Sequence, residues 1–116
     1  MLIGTRAIGF PLTEALLRYV EARMESALGA FSRQVFKVTV RLEDVNSDRG
    51  GIDKRCQVVV ALRGHRTLVA EALDTDLYAA IDEAARRIRR SVADVLRREQ
   101  TLARHEPQWA DLAAAR

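Results

Sequence analysis

Cysteine, proline and aromatic residues are scarce in this sequence of 116 residues, which holds one cysteine, two prolines, three phenylalanines, two tyrosines and one tryptophan. The single Cys56 cannot form an internal disulfide, and no cysteine–histidine cluster has the spacing of a zinc site. A chain with so little cysteine is not a disulfide-stabilised scaffold. We therefore expect Cys56 to be a reduced residue of the apolar core.

Long apolar segments are also missing. No run approaches the roughly 20 residues that a membrane-spanning helix needs. The first residues, Met1 to Arg6, do not combine a basic stretch with an apolar one as an export signal does. These absences predict a cytoplasmic protein with no membrane partner.

Lysine is scarce too, because the 19 basic residues are arginines except for Lys37 and Lys54. Two interpretations fit this bias. The planar guanidinium of arginine suits contacts with phosphates and bases, but a GC-rich genome also favours arginine codons. The net charge is only +3, and the 48% apolar and 30% charged residues are typical of a globular chain. Composition leaves both interpretations open, so the positions of the arginines must decide.

The apolar pattern predicts a strand, a helix, three strands and a second helix, in that order. The opening strand covers Leu2 to Ile8, and Thr13 is a suitable N-cap for the helix that follows. The last helix is expected from Leu77 to about Arg104. One domain over residues 1–104 and a tail over residues 105–116 follow from this pattern.

Apolar and polar residues alternate in the strand that starts at Val35. The apolar set, expected to face the core, is Phe36, Val38, Val40 and Leu42. Both helices are amphipathic, so both are expected to pack on the same face of the sheet and to leave the other face open. The predicted fold class is α+β, with a four-stranded, mainly antiparallel sheet and two helices on one face.

Catalytic groups are lacking as well. The two histidines, His65 and His105, are not spaced with Cys56 or a carboxylate as a metal site or a catalytic triad requires. The pair Gly50-Gly51 lacks the Gly-Lys-Ser/Thr ending of a nucleotide-binding loop. We therefore predict no enzyme activity, no catalytic or metal-binding residues, no cofactor and no small-molecule substrate.

Arginines concentrate on the last predicted helix. At about 100° per residue, Arg86, Arg90 and Arg97 form a line that points away from the apolar stripe, and an RNA backbone could neutralise it. Acidic residues on the same helix support the alternative of a solvated surface with weak ion pairs. The pairs expected are Glu83 with Arg87 and Asp94 with Arg98.

The open face of the sheet is expected to be basic and poor in aromatic residues. Its cations are Lys37, Arg41, Arg55 and Arg63. Without aromatic rings for stacking, such a face suits phosphates and structured RNA better than unpaired bases. Lys54 borders the Gly-Gly loop, whose backbone could approach an RNA phosphate, although a flexible solvated loop is an equally good interpretation.

The segment from Asp74 to Asp82 has the sequence Asp-Thr-Asp-Leu-Tyr-Ala-Ala-Ile-Asp. It resembles the ribosome hibernation promoting factors and the related ribosome-associated inhibitor proteins, whose last helix opens on an Asp-Met/Leu-Tyr-Ala-Ala-Ile-Asp signature. Thr13 to Val20 resembles their first helix, and the predicted order of elements is theirs. The likeness covers about Leu2 to Arg98 and is to the short form, without a C-terminal dimerisation domain.

The resemblance implies a protein that binds the small ribosomal subunit and its ribosomal RNA at the decoding region and inhibits translation as a hibernation or stress factor. We expect a monomer off the ribosome. By position, Arg87 and Arg90 match the family's basic helix, and Lys37 and Arg41 match its basic strand. The chain departs from the family at Ala93-Asp94, where relatives carry further lysine or arginine.

Two other functions stay open, a regulatory protein-interaction module of the same fold and a double-stranded RNA binder. In every case the basic residues are the groups that distinguish the surface. The candidate RNA-binding residues are Lys37, Arg41, Lys54, Arg55, Arg63, Arg86, Arg87, Arg90 and Arg97.

Overall fold

The computed structural model describes residues 1–45, 53–64 and 66–114, with side chains described as far as Thr101. The predicted order of elements is confirmed, with a short 3-10 turn at Gly29–Phe31 after the first helix. The strands are β1 (Leu2–Ile8), β2 (Val35–Asp44), β3 (Lys54–Leu62) and β4 (Thr67–Asp74), and the helices are α1 (Glu14–Leu28) and α2 (Leu77–Ala114).

The four strands form one sheet in the order β1-β2-β3-β4. β2, β3 and β4 are antiparallel neighbours, whereas β1 runs parallel to β2. A parallel pair needs a crossover connection, and α1 supplies it. The fold class is therefore α+β with a mainly antiparallel sheet, as the sequence predicts.

Side chains cap both helices at their first turns. The Thr13 hydroxyl accepts a hydrogen bond from the Leu16 amide at 3.2 Å, which confirms Thr13 as the N-cap of α1. Asp76 caps α2, since its carboxylate accepts from the Tyr78 amide at 3.0 Å. The cap at Asp76 places the signature segment at the junction of β4 and α2.

The core lies between the helices and one face of the sheet. Val38, Val40 and Leu42 of β2 are fully buried there, and so is Cys56 of β3, as expected. Burial raises the pKa of the Cys56 thiol to about 12. This thiol is a protonated packing group at neutral pH.

The position predicted for Phe36 is wrong. The pairing of β2 with β3 is irregular between Val35 and Lys37, and Val35 takes the buried place while Phe36 is 55% exposed. An irregularity of this kind adds one residue to a strand and shifts the side-chain alternation. Phe36 consequently leaves the core.

The predicted end of the second helix is also wrong, because α2 continues past Arg104 to Ala114. Alanine and leucine, both strong helix formers, are frequent beyond Pro107, and their helix propensity outweighs the interruption that a proline causes. The division into a domain at 1–104 and a tail at 105–116 stays a prediction. Within the described residues, no helix is both long and apolar enough to cross a membrane.

Candidate nucleic-acid interface

The nine predicted cations do not form one surface. Because α1 and α2 cover one face of the sheet, Arg86 and Arg90 on the outer side of α2 lie across the molecule from the open sheet face. Lys37 and Arg41 lie on that open face, in β2. The candidate interface therefore consists of two basic surfaces, one on the sheet and one on the helices.

The basic surface on the sheet has Lys37, Arg41 and Arg6 as its free cations. All three are exposed, and none has an ion-pair partner among the described side chains. Arg6 was absent from the sequence-based set, and it lies here because β1 pairs in parallel with β2, which puts Arg6 beside Arg41. The parallel register, which local pattern does not reveal, assembles this surface.

Arg55 shares the open face but is held by acidic neighbours. Its guanidinium lies 2.8 Å from a carboxylate oxygen of Glu71 on β4 and 3.9 Å from one of Glu43 on β2. Arg55, Glu43, Arg41 and Gln57 together line a shallow depression. In the free protein the charge of Arg55 is balanced across three strands.

Lys54 stabilises the fold through ion pairs. Its ammonium group lies 2.9 Å from the Asp44 carboxylate and 3.1 Å from that of Asp53, which is only 6% exposed. The hydrogen bonds to Asp44 and then Asp53 raise the pKa of Lys54. This cluster closes the ends of β2 and β3, while the predicted Gly-Gly contact at residues 46–52 lies outside the described residues.

Arg63 lies at the opposite end of the sheet from Lys54. Its side chain donates to the Arg33 carbonyl at 2.6 Å, and its amide donates to the Gln34 carbonyl at 2.8 Å. Phe36 is a neighbour of Arg63 in a shallow depression at this end. Arg63 thus anchors a turn.

Acidic residues of α2 hold three of its predicted arginines. Glu83 bonds Arg86 at 2.6 Å and Arg87 at 3.1 Å, which confirms the expected Glu83–Arg87 pair. The guanidinium of Arg86, followed by smaller contributions that include Arg87, lowers the pKa of Glu83. Asp94 pairs with Arg97, not with Arg98 as expected, because three residues along a helix bring side chains as close as four do.

Arg87 has a further contact that the sequence pattern does not show. It donates to the backbone carbonyl of Glu71 at 2.6 Å and so ties α2 to the edge strand β4. An edge strand has carbonyl groups without strand partners on its outer side. Arg87 satisfies one of them and stabilises the packing of the last helix.

Arg89, Arg90 and Arg98 are the free cations of α2. All three are exposed, and none has a carboxylate within ion-pair distance among the side chains described up to Thr101. Arg89 was not among the predicted site residues. In the structure it lines the groove between α1 and α2.

The groove between the helices, called the seam groove below, collects guanidinium groups from both of them. Its first part is lined by Arg23, Ser26 and Ala27 of α1 and by Arg86 and Arg89 of α2. Its continuation is lined by Phe31, Arg90, Ala93 and Asp94, together with Arg86 and Arg89 again. Four arginines therefore line this groove: Arg23, Arg86, Arg89 and Arg90.

A polar cluster closes the seam groove near the start of α2. The Tyr19 hydroxyl donates to the Asp82 carboxylate at 2.6 Å, and Arg23 donates to the same oxygen at 2.8 Å. Burial alone would raise the pKa of Asp82, but the bonds from Tyr19 and Arg23 outweigh it and lower the pKa. The same bond, and secondarily burial, raises the pKa of Tyr19.

Among the described residues, no three histidine, cysteine or acidic side chains come together as a metal site requires. The arrangement offers guanidinium and ammonium donors that face solvent, and such donors bind phosphates.

The chain is similar to known proteins in sequence and in fold. The family model described as Sigma 54 modulation protein / S30EA ribosomal protein matches residues 3–100. A ribosomal subunit interface protein from Coxiella burnetii has a similar fold, with 18% identity, a TM-score of 0.70, and coverage of 82% of this chain and 97% of that one.

The N-terminal domain of Thermus thermophilus Protein Y is also similar. It shares 27% identity at a TM-score of 0.67, over 79% of this chain and 96% of that domain. No curated protein matches this chain in sequence.

Proposed function

We propose that this chain, which belongs to the Sigma 54 modulation protein / S30EA ribosomal protein family, binds the small ribosomal subunit through its ribosomal RNA at the decoding region and inhibits translation. Under this proposal the chain performs no catalytic step, is located in the cytoplasm and is a monomer when it is not bound to the ribosome. It is supported by the structural likeness to a protein named for the ribosomal subunit interface and by the two basic surfaces.

The observation that carries the proposal is the presence of exposed cations without acidic partners on both sides of the domain. Arg89 and Arg90 line the seam groove, and Lys37 and Arg41 lie on the open sheet face. Cations that are already balanced internally gain little from a phosphate, whereas free ones neutralise it and release counterions. Folded RNA fits this arrangement, because it is a polyanion that can contact the domain on both sides at once.

The predicted contacts separate into three groups under this proposal. Lys37, Arg41 and Arg90 are available to RNA directly. Arg86, Arg87 and Arg97 contact RNA by exchanging a solvent-exposed carboxylate for a phosphate, and pairs of this kind are weak. The remaining predicted cations hold the fold while adding positive charge: Lys54, Arg55 and Arg63.

Sedimentation with purified small ribosomal subunits tests the proposal. The protein is expected to move with the subunits at low salt and to be released as salt rises. The Arg90→Ala variant is expected to bind more weakly than Arg18→Ala, which removes the same charge from α1, where Arg18 is paired with Glu14. A protein that stays at the top of the gradient at low salt contradicts the proposal.

An RNA duplex of plain sequence is the competitor that separates the alternatives. Equal affinity for the duplex and for the subunit would identify a double-stranded RNA binder. Binding to subunits that does not respond to salt would identify a protein contact, because phosphate contacts make affinity fall with salt. The ribosomal proposal expects tighter binding to the subunit and a clear salt dependence.

A further inference from the structure

Tyr78, the second residue of α2, presents an aromatic ring to solvent. Tyr78 is 43% exposed, although it lies where the two helices pack together. The Tyr19 ring lies 4.8 Å away, centroid to centroid, at an interplanar angle of 81°. In an edge-to-face pair, one ring covers at most one face of the other. At least one face of Tyr78 is therefore not covered by Tyr19.

The support beneath Tyr78 is rigid. Tyr19 is held by its hydrogen bond to Asp82, and Arg23 binds the same carboxylate oxygen and also approaches the Asp82 carbonyl at 3.4 Å. These contacts join α1 to α2 immediately below the ring. The Tyr78 ring packs against this fixed neighbour. A side chain that is already ordered by its packing loses less conformational entropy when another ring stacks on it.

One free arginine, Arg89, lies along the same side of α2 as Tyr78. Arg89 follows Tyr78 by eleven residues, close to three full helical turns, so both point in nearly the same direction at a separation of roughly 17 Å along the axis. Arg90 lies one residue further and lines the same groove. An aromatic platform and one free cation thus follow one line, and the second free cation lines the same groove as the first.

Phe36 is the other exposed aromatic residue among the described residues, and it is not accompanied by free arginines. It lies beside Arg63, whose guanidinium already donates to the Arg33 carbonyl. The two rings therefore differ in their surroundings while both are accessible. Phe36 supplies a matched control for Tyr78.

We propose that the Tyr78 ring stacks on an unpaired RNA base while Arg89 and Arg90 bind phosphates of the same strand in the seam groove. Aromatic rings stack on bases of any type, and guanidinium groups hold the backbone, so the pair of features selects single-stranded nucleic acid. The inference rests on the proposed RNA-binding function and names the kind of RNA that the helical surface takes.

Fluorescence anisotropy with a single-stranded RNA of about 12 nucleotides, within the site sizes of roughly 4–16 nucleotides typical of such surfaces, tests the inference. Tyr78→Phe keeps the aromatic ring and is expected to bind like the wild type. Tyr78→Leu keeps apolar bulk against Tyr19 but is expected to bind about 5- to 150-fold more weakly. Phe36→Leu is expected to bind like the wild type. Circular dichroism confirms that each variant is folded.

The salt dependence distinguishes stacking from phosphate contact. Tyr78→Leu is expected to leave the slope of log affinity against log salt unchanged, because no charge is removed. Arg89→Ala is expected to reduce that slope by about 0.7, the value for one phosphate contact with a single strand. A changed slope for Tyr78→Leu would contradict the assigned role.

The outcomes separate this inference from the ribosomal proposal. Wild-type affinity of Tyr78→Leu for the RNA overturns the stacking site. The wild-type protein could also fail to bind the oligonucleotide and still sediment with the subunits. That result overturns the stacking site and leaves the proposal of ribosome binding intact. Failure to bind either partner overturns both proposals.

Discussion

Asp82 connects the two helices at the level of single residues. Its carboxylate is two-thirds buried and accepts hydrogen bonds from Tyr19 and Arg23. Burial of a carboxylate favours its neutral form, whereas both bonds favour the charged form, and the balance leaves the pKa below the ordinary value. A group with a lowered pKa in the folded state stabilises the fold when it is ionised.

The acid stability of the domain should reflect this residue. The stabilisation from Asp82 is expected to be fully present well above about pH 4, the pKa of an unfolded aspartate, and to be lost as the pH falls through the lower folded value. The difference in melting temperature between wild type and Asp82→Asn should therefore shrink from pH 7 to pH 3. Thermal melts followed by circular dichroism measure it, and a difference that grows on acidification contradicts this account.

The reactivity of the Cys56 thiol tests whether this residue is buried. Because burial raises its pKa to about 12, the thiol is expected to be protonated and inaccessible at pH 8. A thiol-reactive disulfide reagent should react with it slowly in the native protein and rapidly in denaturant. Rapid reaction under native conditions would show that β3 does not bury this residue.

At the scale of elements, the connection from β1 to α1 depends on one glycine. Gly9 has φ of +90°, in the left-handed region that residues with a Cβ rarely adopt. A Cβ at Gly9 would meet Asp44 at no less than 3.6 Å, an ordinary contact, so the constraint is the backbone and not space. This turn allows β1 to lie parallel to β2 and brings Arg6 beside Arg41.

A glycine pair tests this turn. Gly9→Ala is expected to lower the free energy of unfolding by about 1–2 kcal/mol, the cost of a left-handed backbone for a residue with a side chain. Gly29 has φ of −57° and open space around it, so Gly29→Ala should be neutral or slightly stabilising. Urea unfolding of both variants measures the difference. Equal effects would mean that the backbone angle of Gly9 is not the limiting feature.

For the whole molecule, the relevant property is the separation of free charge onto opposite sides. The net charge is only +3, yet Lys37 and Arg41 on the sheet and Arg89 and Arg90 on the helices lack acidic partners among the described side chains. Acidic residues hold several of the other cations in place, among them Arg55 and Arg86. The local pairing, more than the total charge, determines where a polyanion can bind.

Two double variants test whether both sides of the molecule contact RNA. Lys37→Ala/Arg41→Ala and Arg89→Ala/Arg90→Ala each remove two free cations, and each is expected to weaken binding to small ribosomal subunits and to lower the salt slope by up to about two. The pairs lie far apart, so their effects should add. A sheet variant with wild-type affinity would restrict the interface to the helical surface.

The order of elements, the Thr13 cap and the burial of Cys56 are predictable from the sequence, because they depend on local periodicity and on hydrogen bonds within a few residues. Which cations are free depends instead on contacts between distant parts of the chain. Arg87 meets Glu71 and Arg6 meets Arg41 through contacts between elements that are distant in sequence. The exposure of Phe36 likewise depends on the register with β3. Periodicity assigns a side chain to a face, but its neighbours on that face come from other strands and helices.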